Sequence, residues 1–316
     1  MAGSDILAAT DVILSNDSNS KSTTYIRGIH ESKLTSICIG KCNNDMNCSF
    51  PFVFLSSSDA ITAWSLKNTS IIQQEDNDCQ ALPAYELASK ISLYDSNITP
   101  SMLSSSTSSS TQPNLSCISY CQTALCIARS NILTILVVTQ NAGLEFWSNI
   151  SLNGPITSMQ FLPHRETSTF ISSPIIIVSS EDLKITFWDI QTMCCLHSIH
   201  IASSNLFMDL ESSSLSEKSS SLSSGVTIYL SCLSSCSNLQ IYEVNMHVED
   251  DAKFSSKCLL EHNLTNELNY FKPLDIRFVN GNTSCIIATQ NQLLSLNLDY
   301  ISGFITTTPV PCFNHK

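Results

Sequence analysis

Two apolar runs joined by a short acidic turn decide the fold, and the sequence over Ile175–Asp189 reads IIIVSSEDLKITFWD. The first run, Ile175–Ser180, is rich in β-branched residues, which fit the pleated surface of a sheet. Glu181-Asp182 then predicts a turn, because an Asp side chain can bond the local backbone. In the second run, Leu183–Ile190, apolar residues fall on both faces of an extended chain. This pattern predicts a strand enclosed between two stacked sheets.

A strand on each side completes a four-stranded unit around these two runs. Ile156–Phe161 follows the turn-forming pair Gly154-Pro155, and Cys195–Ile201 follows the second run. Because short consecutive strands usually pair with their neighbours, the four runs predict an antiparallel meander.

The same order of runs recurs four more times. Each further unit has an apolar run, a short polar turn, and a second run that carries an aromatic or aliphatic residue. The pairs are Phe52–Leu55 with Ala60–Leu66, Ile135–Val138 with a strand ending at Trp147, Thr227–Leu230 with Leu239–Val244, and Cys285–Ala288 with Leu293–Leu298. We therefore predict five units, each with a Trp, Tyr or Leu on its third strand.

The spacing of these third-strand residues supports the repeat. From Trp147 to Trp188 is 41 residues, within the period of about 40–45 that is typical of four-stranded propeller blades. From Trp188 to Tyr242, and from Tyr242 to Leu296, the spacing is 54 residues, and polar loop insertions account for the excess. The 83 residues from Trp64 to Trp147 include a Ser-rich insertion and leave a hidden degenerate blade as an alternative.

One repeat domain is predicted over residues 24–310. Residues 1–23 form an N-terminal segment that contributes at most one strand, and residues 311–316 form a tail. Ser-rich loop insertions near 96–113 and 211–224 hold too little apolar side chain to order themselves. We interpret them as surface loops between strands, in which changes of sequence and length are tolerated. The alternative is a docking loop controlled by phosphorylation, since each phosphate adds about two negative charges.

The repeat that contains Trp188, which is the third along the chain, resembles a blade of the WD-repeat proteins. Trp188-Asp189 is an intact Trp-Asp dipeptide at the end of a third strand, and Asp182 lies six residues before that Trp. Asn141 lies six residues before Trp147 in the same way. The resemblance implies an all-β WD-repeat β-propeller in which each repeated unit is one blade.

The repeat that contains Trp64, which is the first along the chain, has further WD-like positions. Asp59 lies five residues before Trp64, and Gly28–His30 stands where the family has Gly-His, displaced by one residue. The resemblance maps the family's buried tetrad to His30, Ser57, Asp59 and Trp64. Its side-chain hydrogen bonds would tie a turn to the neighbouring strand. What the family implies is a scaffold with no assigned chemistry.

The number of blades leaves three alternatives open. Propellers have four to eight blades and WD-repeat propellers usually have seven, whereas five are readable here. Degenerate blades that use segments such as Ile6–Leu14 would complete a seven-bladed ring, or the five blades would close alone, or the chain would be a fragment. We expect a fragment, because the last readable blade runs almost to the C-terminus. Within the family, the order of segments resembles the N-terminal propeller region of one member, over Leu34–Leu66, Gly154–Ile190 and Cys285–Leu298.

The charge balance argues against nucleic-acid and membrane partners. The formal net charge is −12, from 15 Lys and Arg against 27 Asp and Glu. The few basic residues are scattered, so they match neither a phosphate backbone nor an anionic membrane. Met1–Ser15 has no basic start, which disfavours a signal peptide, and Ile132–Val138 is too short to span a bilayer. We expect an intracellular, cytoplasmic chain.

Cysteine spacing points to packing and not to a metal. Among 14 Cys, the pairs Cys117 with Cys121 and Cys232 with Cys236 lie four residues apart, on one face of a strand. In an intracellular chain these are expected to be core side chains and not disulfides. A zinc site needs CxxC pairs or a His pair at metal spacing, and the sequence has neither, so we predict no metal and no cofactor.

Catalytic motifs are absent from the sequence. There is no Gly-x-Ser-x-Gly elbow, no Gly-rich phosphate loop and no His-Glu-x-x-His. His197 lies near Cys195, but on a strand these are same-face neighbours, so we interpret them as surface residues and not as a nucleophile pair. The acidic loop Glu249–Asp251 lacks the alternating oxygens of a calcium loop.

We therefore predict a non-catalytic scaffold that binds other proteins through loops on rigid blades. One alternative is a structural subunit of a larger assembly, such as a ciliary or trafficking complex. Another is a propeller hydrolase, which would need carboxylates or a Ser/Cys–His pair converging on the central channel. The acidic balance favours basic partners and a salt-dependent association rate.

Overall fold

The computed structural model describes residues 12–13, 23–24, 34–41, 51–57, 60–66, 85–92, 115–121, 124–139, 143–162, 173–214, 225–247, 253–279 and 281–310. Over these ranges the chain is nearly all β, and the helical part is a single 3-10 turn, Gly281–Thr283. The chain divides into two compact units, residues 1–129 with 134–149, and residues 130–133 with 150–316.

Five sheets of four antiparallel strands contain most of the described residues, and each sheet follows the chain order strand by strand. The first is β3 (Leu34–Lys41), β4 (Pro51–Ser57), β5 (Ala60–Leu66) and β6 (Tyr85–Ser92). The second is β7 (Leu115–Cys121), β8 (Ala124–Arg129), β9 (Ile132–Val138) and β10 (Leu144–Ser151). A short extra sheet pairs β1 (Val12–Ile13) with β2 (Thr23–Thr24).

The last three sheets lie in the second unit and have the same design. The third is β11 (Ile156–Phe161), β12 (Ile175–Ser180), β13 (Lys184–Asp189) and β14 (Cys194–His200). The fourth is β15 (Asn205–Ser214), β16 (Gly225–Ser234), β17 (Asn238–His247) and β18 (Lys253–Asn263). The fifth is β19 (Pro273–Val279), β20 (Ser284–Thr289), β21 (Leu293–Asp299) and β22 (Phe304–Val310). The prediction of five four-stranded blades is confirmed, and we call these sheets blades 1 to 5.

The third blade forms where the sequence predicts it. β11 and β12 begin and end at the predicted residues, and β12 pairs with β13 from Ile175 opposite Asp189 to Ser180 opposite Lys184. Leu183 completes the turn with a positive φ of 62°. All six residues of β12 are buried, as expected for a strand covered on both faces.

The prediction that Trp147 lies on a third strand is wrong. The third strand of blade 2 is β9, whereas Trp147 lies on the fourth strand, β10, and is 42% exposed. The spacing of 41 residues between Trp147 and Trp188 therefore compares two different strand positions.

The error comes from the turns of blade 2. The turn that ends at Gly143, where the Thr139 N–H donates to the Gly143 carbonyl oxygen at 2.9 Å, joins the third strand to the fourth. The second and third strands are joined instead by Ser130-Asn131, with a positive φ of 52° at Ser130. Ser and Asn do form turns, but Asn141-Ala142-Gly143 contains a Gly as well and is the stronger turn signal, so the sequence points to the wrong one of the two turns.

Several predicted segments differ from the structure or lie outside the described residues. Ser212–Ser214 belong to β15, where Ser212 lies opposite Ile228, so the second Ser-rich insertion begins later than predicted. Ile13 and Val12 form β1, the short strand contributed by the N-terminal segment. Outside the described residues lie His30, Asp59, Asn141, the predicted insertion near 96–113, the acidic loop Glu249–Asp251 and the tail 311–316.

Apolar side chains from adjacent blades form the core of each unit. In the first unit, Phe54 from blade 1 and Leu125 from blade 2 belong to one buried cluster. In the second unit, Phe187 from blade 3 packs in a cluster with Leu230 and Tyr242 from blade 4, and a further cluster joins blades 4 and 5. Burial between successive sheets is the main stabilising contribution in this arrangement.

The substitution Phe187→Ala tests the packing between blades 3 and 4. Phe187 is fully buried, so its truncation should lower the free energy of unfolding by about 3–5 kcal/mol, measured by urea denaturation of the full chain. The control Ile301→Ala removes a fully exposed side chain and should change the stability by less than about 0.5 kcal/mol. Equal effects of the two variants would contradict the packing described.

Candidate functional site

Two of the third strands carry the same hydrogen-bond chain. In blade 3, the Trp188 Nε1–H donates to Thr186 Oγ1 at 2.8 Å. In blade 1, the Trp64 Nε1–H donates to Thr62 Oγ1 at 3.0 Å. Each Thr hydroxyl donates in turn to the carbonyl oxygen of the second-strand residue opposite it, at 3.4 Å. These two hydrogen bonds in series therefore hold the indole ring against its own strand and link it to the neighbouring second strand.

The threonine of this hydrogen-bond chain is not among the predicted WD positions. An indole has a single N–H, and in blade 1 its partner is Thr62. Ser57, a member of the expected tetrad, ends β4, and its role stays a proposal. The signal was present, since a Thr precedes both Trp64 and Trp188 by two residues. The other two members of the expected tetrad, His30 and Asp59, lie outside the described residues and keep their roles as proposals.

Asp182 holds the turn between the second and third strands of blade 3. Its Oδ1 accepts a hydrogen bond from the Ser180 hydroxyl at 2.5 Å, and its other carboxylate oxygen lies 3.8 Å from Lys184 Nζ. The loop that enters the blade passes closely over this turn. A Cβ added at Gly154 would lie 2.8 Å from the Asp182 backbone nitrogen, so this close approach requires glycine.

Asp189 and Asp299 build the same turn in two blades. Asp189 Oδ1 accepts from the backbone N–H groups two and three residues ahead, at 2.8 and 3.2 Å. Asp299 Oδ1 does the same, at 3.0 and 3.3 Å. Each turn continues with a left-handed residue, Met193 in blade 3 and Gly303 in blade 5. Leu298-Asp299 therefore builds the same turn as Trp188-Asp189, although it has Leu in place of the Trp.

Polar groups from the first strands of three successive blades meet at Asp209. This carboxylate is 9% exposed and lies on β15 of blade 4. Its Oδ2 accepts from the backbone N–H of Phe278 in blade 5 at 2.6 Å, and its Oδ1 lies 3.3 Å from Arg277 Nη1. Gln160 of blade 3 donates to the same Oδ1 at 3.4 Å. The carboxylate therefore joins blades 3, 4 and 5.

Arg277 is the charged partner in this cluster. Its Nε–H also donates to Asp275 at 3.1 Å, while the side chain is 59% exposed. Burial lowers the pKa of the Arg277 guanidinium, but the carboxylates of Asp275 and Asp209 more than offset this and raise its pKa above the ordinary value. Burial, together with Asp209, raises the pKa of the nearby Cys285 thiol to about 12. The arginine stays charged and this thiol stays protonated at neutral pH.

A propeller hydrolase would need carboxylates that converge, and this cluster brings two of them together on the first strands of blades 4 and 5. Both carboxylates are bonded to Arg277, and Asp209 also accepts a backbone N–H of the next blade. A general acid or base needs a carboxyl group that can exchange protons with a substrate. The bonds of Asp209 instead serve to hold blades together.

The pair Cys195 and His197 has no nucleophile geometry. The Cys195 thiol donates to the His197 backbone carbonyl oxygen at 3.4 Å, and burial raises its pKa. The His197 ring stacks on Phe254, with centroids 5.7 Å apart, and its Nε2 lies 3.0 Å from Ser256 Oγ. Burial lowers the pKa of His197. The ring therefore joins the outer strands of blades 3 and 4.

Neither a metal-ligand cluster nor a membrane-spanning helix occurs in the part of the chain that the structure describes. No group of three or more His, Cys, Asp and Glu there is arranged to hold a metal ion. No helix in the same residues has the length and apolar character needed to cross a membrane.

Comparisons with known proteins identify the fold. No family model and no curated protein matches the chain. A chain in the crystal structure of BBS1N in complex with ARL6DN is similar, with a TM-score of 0.50 and 13% identity, covering 87% of this chain and 67% of that chain. A chain of the mitotic checkpoint complex has a TM-score of 0.50 and 7% identity, covering 93% of this chain and 70% of that chain.

These neighbours are β-propeller-type proteins, and at such identities the likeness concerns the fold alone. Together with the five four-stranded blades, they show that the chain has a β-propeller fold. The narrower resemblance, to WD repeat-containing protein 27, has no support among the comparisons.

Asp209→Ala tests the link between the three blades. The substitution leaves the Phe278 N–H without its acceptor, so the free energy of unfolding should fall by about 1–3 kcal/mol in urea denaturation. Asp209→Asn keeps one oxygen and should cost less. The control Asp275→Ala removes a solvent-screened contact to Arg277 and a local bond from the adjacent Ile276 N–H, joins no other blade, and should cost less than Asp209→Ala. A larger loss for Asp275→Ala would contradict the role given to Asp209.

The turn at Asp299 can be tested through its titration. Hydrogen bonds from the Ser302 hydroxyl and from the Ser302 and Ile301 N–H groups lower the pKa of Asp299. Because the folded pKa lies below the unfolded one, this turn stabilises the fold above the unfolded pKa and loses that effect as the pH falls through the folded pKa. NMR titration should show the low pKa, and Ser302→Ala should raise it toward the ordinary value. An unchanged pKa in the variant would contradict the turn described.

Proposed function

We propose that this chain is a non-catalytic WD-repeat scaffold that binds other proteins inside the cell. The observation that carries the proposal is the arrangement around Asp209, where the acidic and basic groups of three first strands are bonded to one another across blades. Groups that could do acid–base chemistry serve there to make the blades rigid. A rigid framework that presents loops is suited to binding.

Repeated local structures support the WD-repeat assignment. The Trp–Thr chain is present in blades 1 and 3, and the turn built by Asp189 recurs at Asp299. We propose that His30, Ser57 and Asp59 complete the tetrad around Trp64. Trp147 is not a WD position, and the role proposed for Asn141 as its turn residue is withdrawn with it.

Protein partners are also suggested by the neighbours in fold. One is described as BBS1N in complex with ARL6DN, and the other as the mitotic checkpoint complex. A structural subunit of a larger assembly, such as a ciliary or trafficking complex, is the second candidate.

Size-exclusion chromatography of a concentrated native lysate tests the scaffold proposal. We expect the tagged full chain to elute well above its own mass of 34.7 kDa, in a complex that re-forms more slowly at high salt because the chain is acidic. The control is the purified chain alone on the same column. Elution of the lysate sample at the position of the purified chain would contradict the proposal. A purified chain that aggregates, but is dispersed in the lysate complex, would favour the structural subunit.

A further inference from the structure

The outer strand of blade 2 exposes two large aromatic side chains. β10 ends its sheet, and Phe146 and Trp147 on it are 40% and 42% exposed. Glu145 beside them is exposed as well. Because successive side chains of a strand point to opposite faces, apolar surface is present on both faces of this strand. Trp and Phe are enriched at the centres of protein interfaces, where they supply much of the binding energy.

β10 also lacks the features that protect other outer strands. An edge strand has backbone N–H and C=O groups that its own sheet leaves unpaired, and Lys or Pro commonly blocks their use by another chain. Among the described blades, Lys90 lies on β6, Lys257 on β18 and Pro309 on β22. β14 has neither Lys nor Pro, but none of its described side chains is a large exposed hydrophobic. β10 has one charged residue, Glu145, and both aromatics.

We propose that Glu145–Trp147 is a docking edge, at which an extended segment of a partner protein adds to blade 2 as a fifth strand. The proposal rests on the scaffold function and names the surface and the class of partner. At the start of β10 the Leu144 N–H already donates to Ser89 Oγ of blade 1, so the partner's backbone bonds the edge beyond Leu144. Its apolar side chains contact Phe146 and Trp147, and a Lys or Arg faces Glu145. Main-chain bonds supply affinity in this mode, and alternate side chains supply specificity.

Charge favours a basic partner segment over a second copy of this chain. Each copy has a net charge of −12, so two copies repel each other, and pairing two β10 strands would bring two Glu145 carboxylates near each other. A segment that carries Lys or Arg removes this penalty and complements the carboxylate.

Selection from a displayed library of random strand-length peptides on the full chain tests the docking edge. We expect the enriched peptides to alternate apolar residues with others and to include Lys or Arg. Their affinity should fall about tenfold or more in Trp147→Ser and in Phe146→Ser. It should stay unchanged in Tyr270→Ser, the matched control, which removes an exposed aromatic from the connection between blades 4 and 5. Glu145→Lys, which leaves both aromatics in place, should weaken the binding of basic peptides.

Backbone methylation separates strand addition from simple apolar contact. In an extended peptide, alternate backbone N–H groups point toward β10 and away from it. N-methylation of the amides that point toward β10 should abolish binding, whereas N-methylation of those that point away should leave binding intact. Equal effects of the two sets would overturn the proposal.

Three further outcomes would also overturn it: a selection that yields no binding peptide, peptides unaffected by all three β10 variants, or self-association of the wild-type chain in sedimentation that Trp147→Ser removes. Urea denaturation checks that each variant is folded. If an aromatic variant is not folded, Glu145→Lys still tests the proposal.

If Trp147→Ser still elutes in the native complex, the docking edge fails and the scaffold function stands. If the wild-type chain elutes alone, the scaffold function itself fails.

Discussion

Both faces of the inner strands in this chain are apolar, so a single sheet is not stable in water until another sheet covers it. β12 shows this directly, because all six of its residues are buried. Phe187 and Leu230, from neighbouring blades, belong to one buried cluster. Removing such surface from water is worth about 25 cal/mol per Å², or about 1.5–3 kcal/mol for one fully buried Leu or Phe side chain. A typical hydrogen bond contributes about 0.5–1.5 kcal/mol net. The stacking of blades follows from this constraint.

Polar side chains then determine how the stacked sheets are connected. Asp189 and Asp299 close turns within their own blades, whereas Asp209 bonds groups of the blades on either side of it. His197 makes a comparable link between outer strands, through Phe254 and Ser256. These contacts are individually modest, but each is satisfied in one arrangement of the blades, so they add specificity to the apolar packing.

The sequence predicts the fold where strands are bounded by strong turn signals. β11 and β12 begin and end as predicted, since Gly154-Pro155 and Glu181-Asp182 mark their ends. The prediction for blade 2 is wrong because the strongest turn signal there, Asn141-Ala142-Gly143, joins the third strand to the fourth and not the second to the third. The site at Asp209 could not be predicted, because its partners Gln160 and Arg277 lie 49 and 68 residues away along the chain. Such contacts depend on how strands are brought together, which local patterns do not encode.

One carboxylate that serves three blades has a consequence for how this sequence can evolve. Gln160 and Arg277 bond the same oxygen of Asp209 from opposite sides, so replacement of either changes what the other contributes. Drift at these three positions is therefore epistatic. A neutral residue at position 209 would leave Arg277 with Asp275 as its carboxylate partner, and restoring the acid later would again depend on donors encoded far away along the chain.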